Sequence, residues 1–308
     1  MPELPEVETI RRNIEKTVLH KTIVDIQVHL PKLLSQSPLP DLGLLIGMSF
    51  RAARRRAKIL ILDTAEDLSL LVHFKLSGQL AIITPDGTRL FAGHPVPSPA
   101  SDYPHKATHV ILTFQDGTVA FYSDVRQFGW MRLMHSTQVE ETIATFRFGP
   151  EGVGAPLDSK ALGATMRKRR ISVKQLLLDQ SFIAGLGNIY VDEALFAARI
   201  YPGRAGSSLT ARERIALLDA VPVALEAGIA QGGATIIHQR AFPVDAFPAV
   251  HGREGEPCIT CGATIEKTRV AGRGTYFCPN CQRIPKTRSR RAVGPFPDAV
   301  KGGSPTQR

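Results

Sequence analysis

The residues best suited to chemistry stand near the two ends of the chain. The only four cysteines among 308 residues fall as Cys258-x-x-Cys261 and Cys278-x-x-Cys281, with sixteen residues between the pairs. Each C-x-x-C turn presents two sulfurs from one tight knuckle, and four thiolates suit a tetrahedral zinc ion. The spacing predicts one structural Zn2+ with no open coordination position. Two disulfides are the weaker alternative, because no secretory signal accompanies the cysteines. At the other end, removal of Met1 would leave Pro2 with a free secondary amine. Such an amine attacks carbon at the aldehyde oxidation level and forms an iminium, the Schiff-base chemistry of lysine moved to a chain terminus. Glu3 and Glu6 lie in the same turn of chain and could carry protons for it. Pro2 and Pro5 also suit the first turn of a helix whose dipole early glutamates complement. On local sequence alone that second reading is the stronger, and the two are compatible.

These groups need elements to hold them. Val7, Ile10, Ile14 and Val18 recur at helical spacing, so a helix follows the proline turn with Arg11, Arg12 and Lys16 mostly outward. From Thr22 to about Leu133 the pattern is mostly strands. Val24, Ile26, Val28 and Leu30 alternate, while Ile59 to Leu62, Leu68 to Phe74 and Val110 to Phe114 are apolar runs. Asp116-Gly117 and Asp86-Gly87 read as hairpin turns. An antiparallel sandwich or barrel follows, with the proline-rich stretch from Ala92 to Pro104 as a surface loop. After Gly149-Pro150 the texture turns helical. One helix is expected through Arg170 to Asp179, another from Asn188 to Ala198, and a third opens at Thr210 with Glu213 as its capping partner. Residues 236–248 have no clear period and read as a loop or irregular strand. Beyond Gln282 the chain is basic and rich in proline and glycine, which predicts a disordered tail.

The fold class expected is multidomain α+β. The divisions are 1–135 for an N-terminal helix and antiparallel β-sandwich, 150–235 for a helical domain, 250–283 for a zinc ribbon and 284–308 for the tail. A formal charge of +10 favours a polyanionic partner, nucleic acid first, over a neutral metabolite. No apolar signal core and no run long enough to span a bilayer is present, so a soluble, cytoplasmic protein is expected.

Three separated signatures carry a resemblance. They are P-E-L-P-E-V-E-T at Pro2 to Thr9, G-x-G-N-I-Y-x-x-E-x-L-F at Gly185 to Phe196, and the four-cysteine ribbon. Together they resemble the formamidopyrimidine-DNA glycosylase and endonuclease VIII family of base-excision repair enzymes. The segment D-V-R-Q-F-G at Asp124 to Gly129 draws the chain toward the formamidopyrimidine branch. The resemblance implies a monomeric enzyme that binds damaged double-stranded DNA in a cleft between the sandwich and a domain carrying a helix-two-turns-helix motif. On that reading Pro2 attacks the anomeric carbon of a damaged nucleotide, and Glu3 shuttles protons with support from Glu6. The iminium then undergoes eliminations that cut the strand on both sides. Leu76, Arg126 and Phe128 would fill the gap left by the extruded nucleotide, with Leu76 standing where the family has methionine. Lys58 matches the lysine near the lesion phosphates. Lys174, Asn188 and Arg273 match phosphate-binding positions, and Glu193 matches an acid facing the extruded base. Gln127 replaces a residue that is often basic, and the segment from Gly233 to Gly252 is shorter than the usual lesion-reading loop. Oxidised guanine and ring-opened purines are the expected lesions. The alternatives are oxidised pyrimidines or a non-catalytic DNA-damage-binding protein.

Overall fold

The computed structural model describes residues 1–95, 98, 101–233 and 247–284. Helix α1 (Leu4–Thr17) opens at Glu3, whose backbone N–H donates to Glu6 Oε2 at 2.7 Å and so satisfies a donor that the helix leaves orphaned. Val7, Ile10 and Ile14 form its buried stripe, as their spacing predicts.

Nine strands follow in two antiparallel sheets. β1 (Ile23–Val28), β5 (Gly78–Ile83), β6 (Arg89–Gly93), β7 (Thr108–Phe114) and β8 (Val119–Asp124) make one sheet in the order β1-β7-β8-β5-β6. β2 (Phe50–Arg56), β3 (Ile59–Thr64), β4 (Leu68–His73) and β9 (Trp130–His135) make the other in the order β2-β3-β4-β9. Asp116-Gly117 turns β7 into β8, and Asp86-Gly87 turns β5 into β6, each glycine sitting at positive φ. The main core lies between the sheets, where Leu60, Leu62, Leu70 and Val72 meet Val110, Leu112, Phe114 and Tyr122, with the α1 stripe packed into the same cluster.

β3 and β4 bury both faces. Ile59, Ile61 and Leu71 point away from the main core and pack with Val139 and Ile143 of α2 (Val139–Thr145). This is why those strands read as continuous apolar runs rather than alternating ones. β1 differs from its expected pattern: Ile23 is buried while Val24 is exposed, because the pairing with β7 shifts register between Ile23 and Asp25.

The helical part comprises α3 (Ser159–Lys168), α4 (Val173–Leu178), α5 (Asn188–Ala197) and α6 (Ala211–Ala230). Neither α2 nor α3 was expected, and α4 is shorter than the helix predicted through Arg170 to Asp179. α6 begins as expected, with Glu213 N–H donating to Thr210 Oγ1 and Thr210 N–H donating to Glu213 Oε2. The helices share a core around Leu176, Tyr190, Leu195 and Leu217, and Leu4 of α1 belongs to this cluster rather than to the sandwich. The ribbon consists of β10 (Glu266–Val270) and β11 (Arg273–Phe277), joined by Ala271-Gly272 with both residues at positive φ, the geometry of a type I′ hairpin. Val250, Ile265, Cys258 and Cys278 pack it against Phe196 of α5. Among the described residues, no helix is long and apolar enough to cross a membrane. The predicted tail beyond residue 284, most of the segment 236–248 and four positions of the proline-rich stretch lie outside the described residues.

Candidate active site and nucleic-acid interface

The N-terminal turn is built by two helices that start at the same place. Pro2 is buried, Leu4 N–H donates to Gly185 O at 3.1 Å, and Glu3 Oε1 accepts from Ile189 N–H at 3.0 Å in the first turn of α5. The positive ends of both helix dipoles therefore face the Glu3 carboxylate. Gly187 makes this approach possible, since a Cβ there would lie 2.3 Å from Glu3 Cδ. Glu6 is held by Glu3 N–H and by the Tyr190 hydroxyl, which donates at 2.7 Å. Glu3 is 1% exposed, and its Oε2 is buried with no hydrogen-bond partner, which leaves one acceptor available to a reacting group.

Lys58 completes this centre. It is buried in the two-residue turn between β2 and β3, where Ala57 takes φ 52° and donates its N–H to Glu151 Oε1 at 2.7 Å. Burial raises the pKa of the Glu3 carboxyl despite the opposing Lys58 charge, and burial lowers that of the Lys58 ammonium despite the Glu3 and Glu6 charges. Both shifts favour neutral forms, so each group can gain or lose a proton during a reaction. The arginines just before Lys58 do not share this site. Arg54 pairs with Asp63 and Glu140, Arg55 with Glu8 and Glu151, and Arg56 with Glu151. Lys75 stands close enough for its charge to act on Lys58, and both lysines act on His73. Burial, with the Lys75 and Lys58 charges, pushes the His73 imidazole down to about 3, so it stays neutral. Sequence reading passed over His73; its place just ahead of the Leu76 turn was the available signal.

The three residues expected to fill a gap in DNA occupy two adjoining loops. Leu76 is half-buried in the turn between β4 and β5, while Arg126 and Phe128 lie in the turn between β8 and β9. Buried Asp124 ties the loops together by accepting from the Ser77 hydroxyl, from Arg126 N–H at 3.2 Å and from Gly129 N–H at 2.8 Å. Phe128 is 53% exposed, and the Arg126 guanidinium lies 5.2 Å from its ring centroid. Gln127 sits between them at φ 55°. An exposed phenylalanine on a braced loop has no role in this protein's own core.

The remaining predicted residues gather where α4 and α5 meet the ribbon. Asn188 Nδ2 and Lys174 Nζ both donate to Gly274 O at 3.0 Å, beside the exposed Arg273. Lys174 is completely buried and paired with Asp192 Oδ1 at 2.7 Å, so it has no surface to offer a phosphate. Burial depresses its pKa while Asp192 pulls it back. Glu193 differs equally from its expected role. Its two oxygens accept the N–H groups of Ala249, Val250 and His251 at 2.7, 3.0 and 2.8 Å, which fastens the segment leading into the ribbon. Burial raises its pKa, and those three donors oppose the rise.

The four cysteine sulfurs lie within 4.8 Å of one another. Two of their separations, Cys258–Cys281 at 3.9 Å and Cys261–Cys278 at 3.5 Å, are far beyond a disulfide bond and close to the roughly 3.8 Å expected between thiolates around a tetrahedral zinc. Backbone N–H groups of Thr260 and Cys281 point at Cys258 and Cys278 sulfurs, as they do around metal-bound thiolates. The set fits one structural Zn2+.

The formamidopyrimidine-DNA glycosylase of Geobacillus kaustophilus (strain HTA426) is 38% identical to this chain over 292 residues, which span 92% of the chain and 100% of that protein. The chain belongs to the formamidopyrimidine-DNA glycosylase family. Three family profiles match within it. Residues 1–131 match the formamidopyrimidine-DNA glycosylase N-terminal domain, 148–240 its H2TH domain, and 255–284 a zinc finger found in FPG and IleRS. The enzyme of Streptococcus pneumoniae (strain ATCC BAA-255 / R6) is 35% identical across 92% of this chain and 99% of its own length. Solved structures agree. The Lactococcus lactis Fpg bound to DNA containing an abasic site superposes with TM-score 0.79 at 33% identity, covering 92% of this chain and all of that one. The same family member with Fapy-dG DNA gives 0.78 at 34% over the same shares.

Proposed function

We propose that this chain is a bifunctional DNA glycosylase and abasic-site lyase of base-excision repair, acting on oxidised and ring-opened purines in duplex DNA. The observation that supports it best is the buried Pro2–Glu3 turn, with the unpartnered Glu3 oxygen beside the residue that would become the amine terminus. In this reading the Pro2 nitrogen bonds to the anomeric carbon as the glycosidic bond breaks, and the base leaves with the electron pair and takes up a proton. The nitrogen loses its own proton. Glu3 then protonates the ring oxygen as its bond to the anomeric carbon opens, leaving an iminium. Loss of a proton from the neighbouring carbon expels the phosphate on one side, and a second elimination expels the other. Lys58, buried against Glu3, is assigned to exchanging protons with it and tuning its carboxyl.

Leu76, Arg126 and Phe128 are assigned to the gap left when the damaged nucleotide swings out. Arg273 and Asn188 are assigned to phosphates. Glu193 is assigned to fastening the segment 249–251, because both of its oxygens are engaged there. Zinc is structural and takes part in no step. The test is borohydride trapping on duplexes carrying oxidised guanine, a ring-opened purine or an oxidised pyrimidine. A covalent adduct at Pro2, fastest with the purine lesions and lost when the terminal nitrogen is acetylated, is expected. An intact protein that starts at Pro2 yet gives no adduct on any lesion would overturn the reading in favour of a damage-binding protein.

A further inference from the structure

The outer edge of β11 is a strand edge satisfied by side chains rather than by another strand. In a two-residue hairpin closed by Val270 and Arg273, the polar groups of Gly274 and Tyr276 point away from β10. Left bare in a partly buried place they would be costly. Helices α4 and α5 supply their partners. Gly274 O receives Lys174 Nζ and Asn188 Nδ2, each at 3.0 Å, and Tyr276 N–H donates to Asp192 Oδ2 at 3.2 Å. Asp192 is fully buried, and its two oxygens unite the arrangement. Oδ1 holds Lys174 at 2.7 Å, while Oδ2 also takes His251 Nδ1 at 2.8 Å, whose ring rests edge-on against Tyr276 at 4.8 Å. None of these groups belongs to the zinc site, and the ribbon is therefore gripped from outside as well as held from within.

We infer that Asp192 is a positioning residue for DNA binding: through Lys174, His251 and the edge of β11 it holds the Ala271–Arg273 turn so that Arg273 meets the phosphates beside the Pro2–Glu3 centre. The inference rests on the proposed phosphate contact of Arg273. It also reassigns Lys174, which spends its charge on Asp192 and its hydrogens on Gly274. Aligning one arginine is a task that a hydrogen-bonded strand edge can perform and that the zinc knuckles, at the other end of the hairpin, cannot perform alone.

The experiment is a double-mutant cycle in the full zinc-loaded chain, measuring affinity for a duplex containing a stable abasic analogue across a range of salt. Arg273→Ala is expected to weaken binding about tenfold to a hundredfold and to lower the salt slope by about 0.9, the signature of one lost phosphate contact. Asp192→Ala should do the same with one zinc retained, and the double variant should be no worse than the poorer single. Because Asp192→Ala strands a buried ammonium and could unfold the chain, the pair Lys174→Met with Asp192→Asn removes both charges together and should give the same loss. Additive losses, or an unchanged salt slope in the Asp192 variants beside a reduced one in Arg273→Ala, would overturn the inference alone. Unaltered binding in Arg273→Ala would overturn the phosphate assignment and the inference with it.

Discussion

Gly187 has no side chain because Glu3 occupies the space, and the consequence can be measured. Gly187→Ala drives a methyl into the Glu3 carboxylate, which must move away from the Ile189 N–H and from Pro2. A displacement of about an ångström in a reacting group costs on the order of a hundredfold in rate. Single-turnover cutting of an abasic duplex should fall by about that factor with DNA affinity nearly intact; an unaffected rate would remove Glu3 from the chemistry. At this scale much of the centre was legible. The cysteines announce themselves by their paired knuckles, whereas Pro2, Glu3 and Glu6 read locally as a helix start and take on a chemical meaning only beside the other two signatures. The buried settings of Lys174 and Glu193 were not legible, because a buried charged residue and a surface one look alike in sequence. Their partners, Gly274 and the backbone of 249–251, are far away along the chain.

The elements were read best where one local rule governs them. α1 follows from its stripe, α6 from its Thr210–Glu213 cap, and the hairpins from Asp116-Gly117 and Asp86-Gly87. α2 escaped because it has seven residues and only Val139 and Ile143 buried, too few to establish a period. Its presence was implied indirectly by β3, whose apolar residues on both faces need cover on the outer side. The ribbon is the element whose stability is bound to an ion, because its own core is a handful of side chains and two of them are cysteines. Cys258→Ser should release zinc and weaken DNA binding at least tenfold, by the loss of the Arg273 turn, while the sandwich stays folded. Metal analysis with near-ultraviolet dichroism checks this, and full zinc occupancy in the variant would contradict the ligand assignment.

For the whole molecule, the joint between the sandwich and the rest is electrostatic as well as apolar. Glu8 on α1 accepts from Arg11, Arg12 and Arg55, and Arg55 passes the connection to Glu151 at the start of the helical part. Burial would push the Glu8 carboxyl up, but the hydrogen bonds from Arg11 and Arg12 and the neighbouring charges outweigh it and hold it at about 2, below its ordinary 4.5. A depressed carboxylate stabilises the fold above its unfolded pKa, and that stability is lost as pH falls from 4.5 toward about 2. The contribution is at most about 3 kcal/mol. Glu8→Gln should lower stability near neutrality and flatten the acid limb of a urea-melt series; a limb as steep as before would place the acid sensitivity elsewhere.

The same helix has a consequence for how the protein is made. Leu4 rests in the core formed by α3 to α6, and Glu3 takes its hydrogen bond from Ile189, whereas Val7, Ile10 and Ile14 share a core with strands synthesised soon after them. On the ribosome the sandwich can therefore close long before its first turn has anything to lean on. A nascent chain carries an amine that is not yet aimed, and the reactive centre is armed only when translation has passed Ile189.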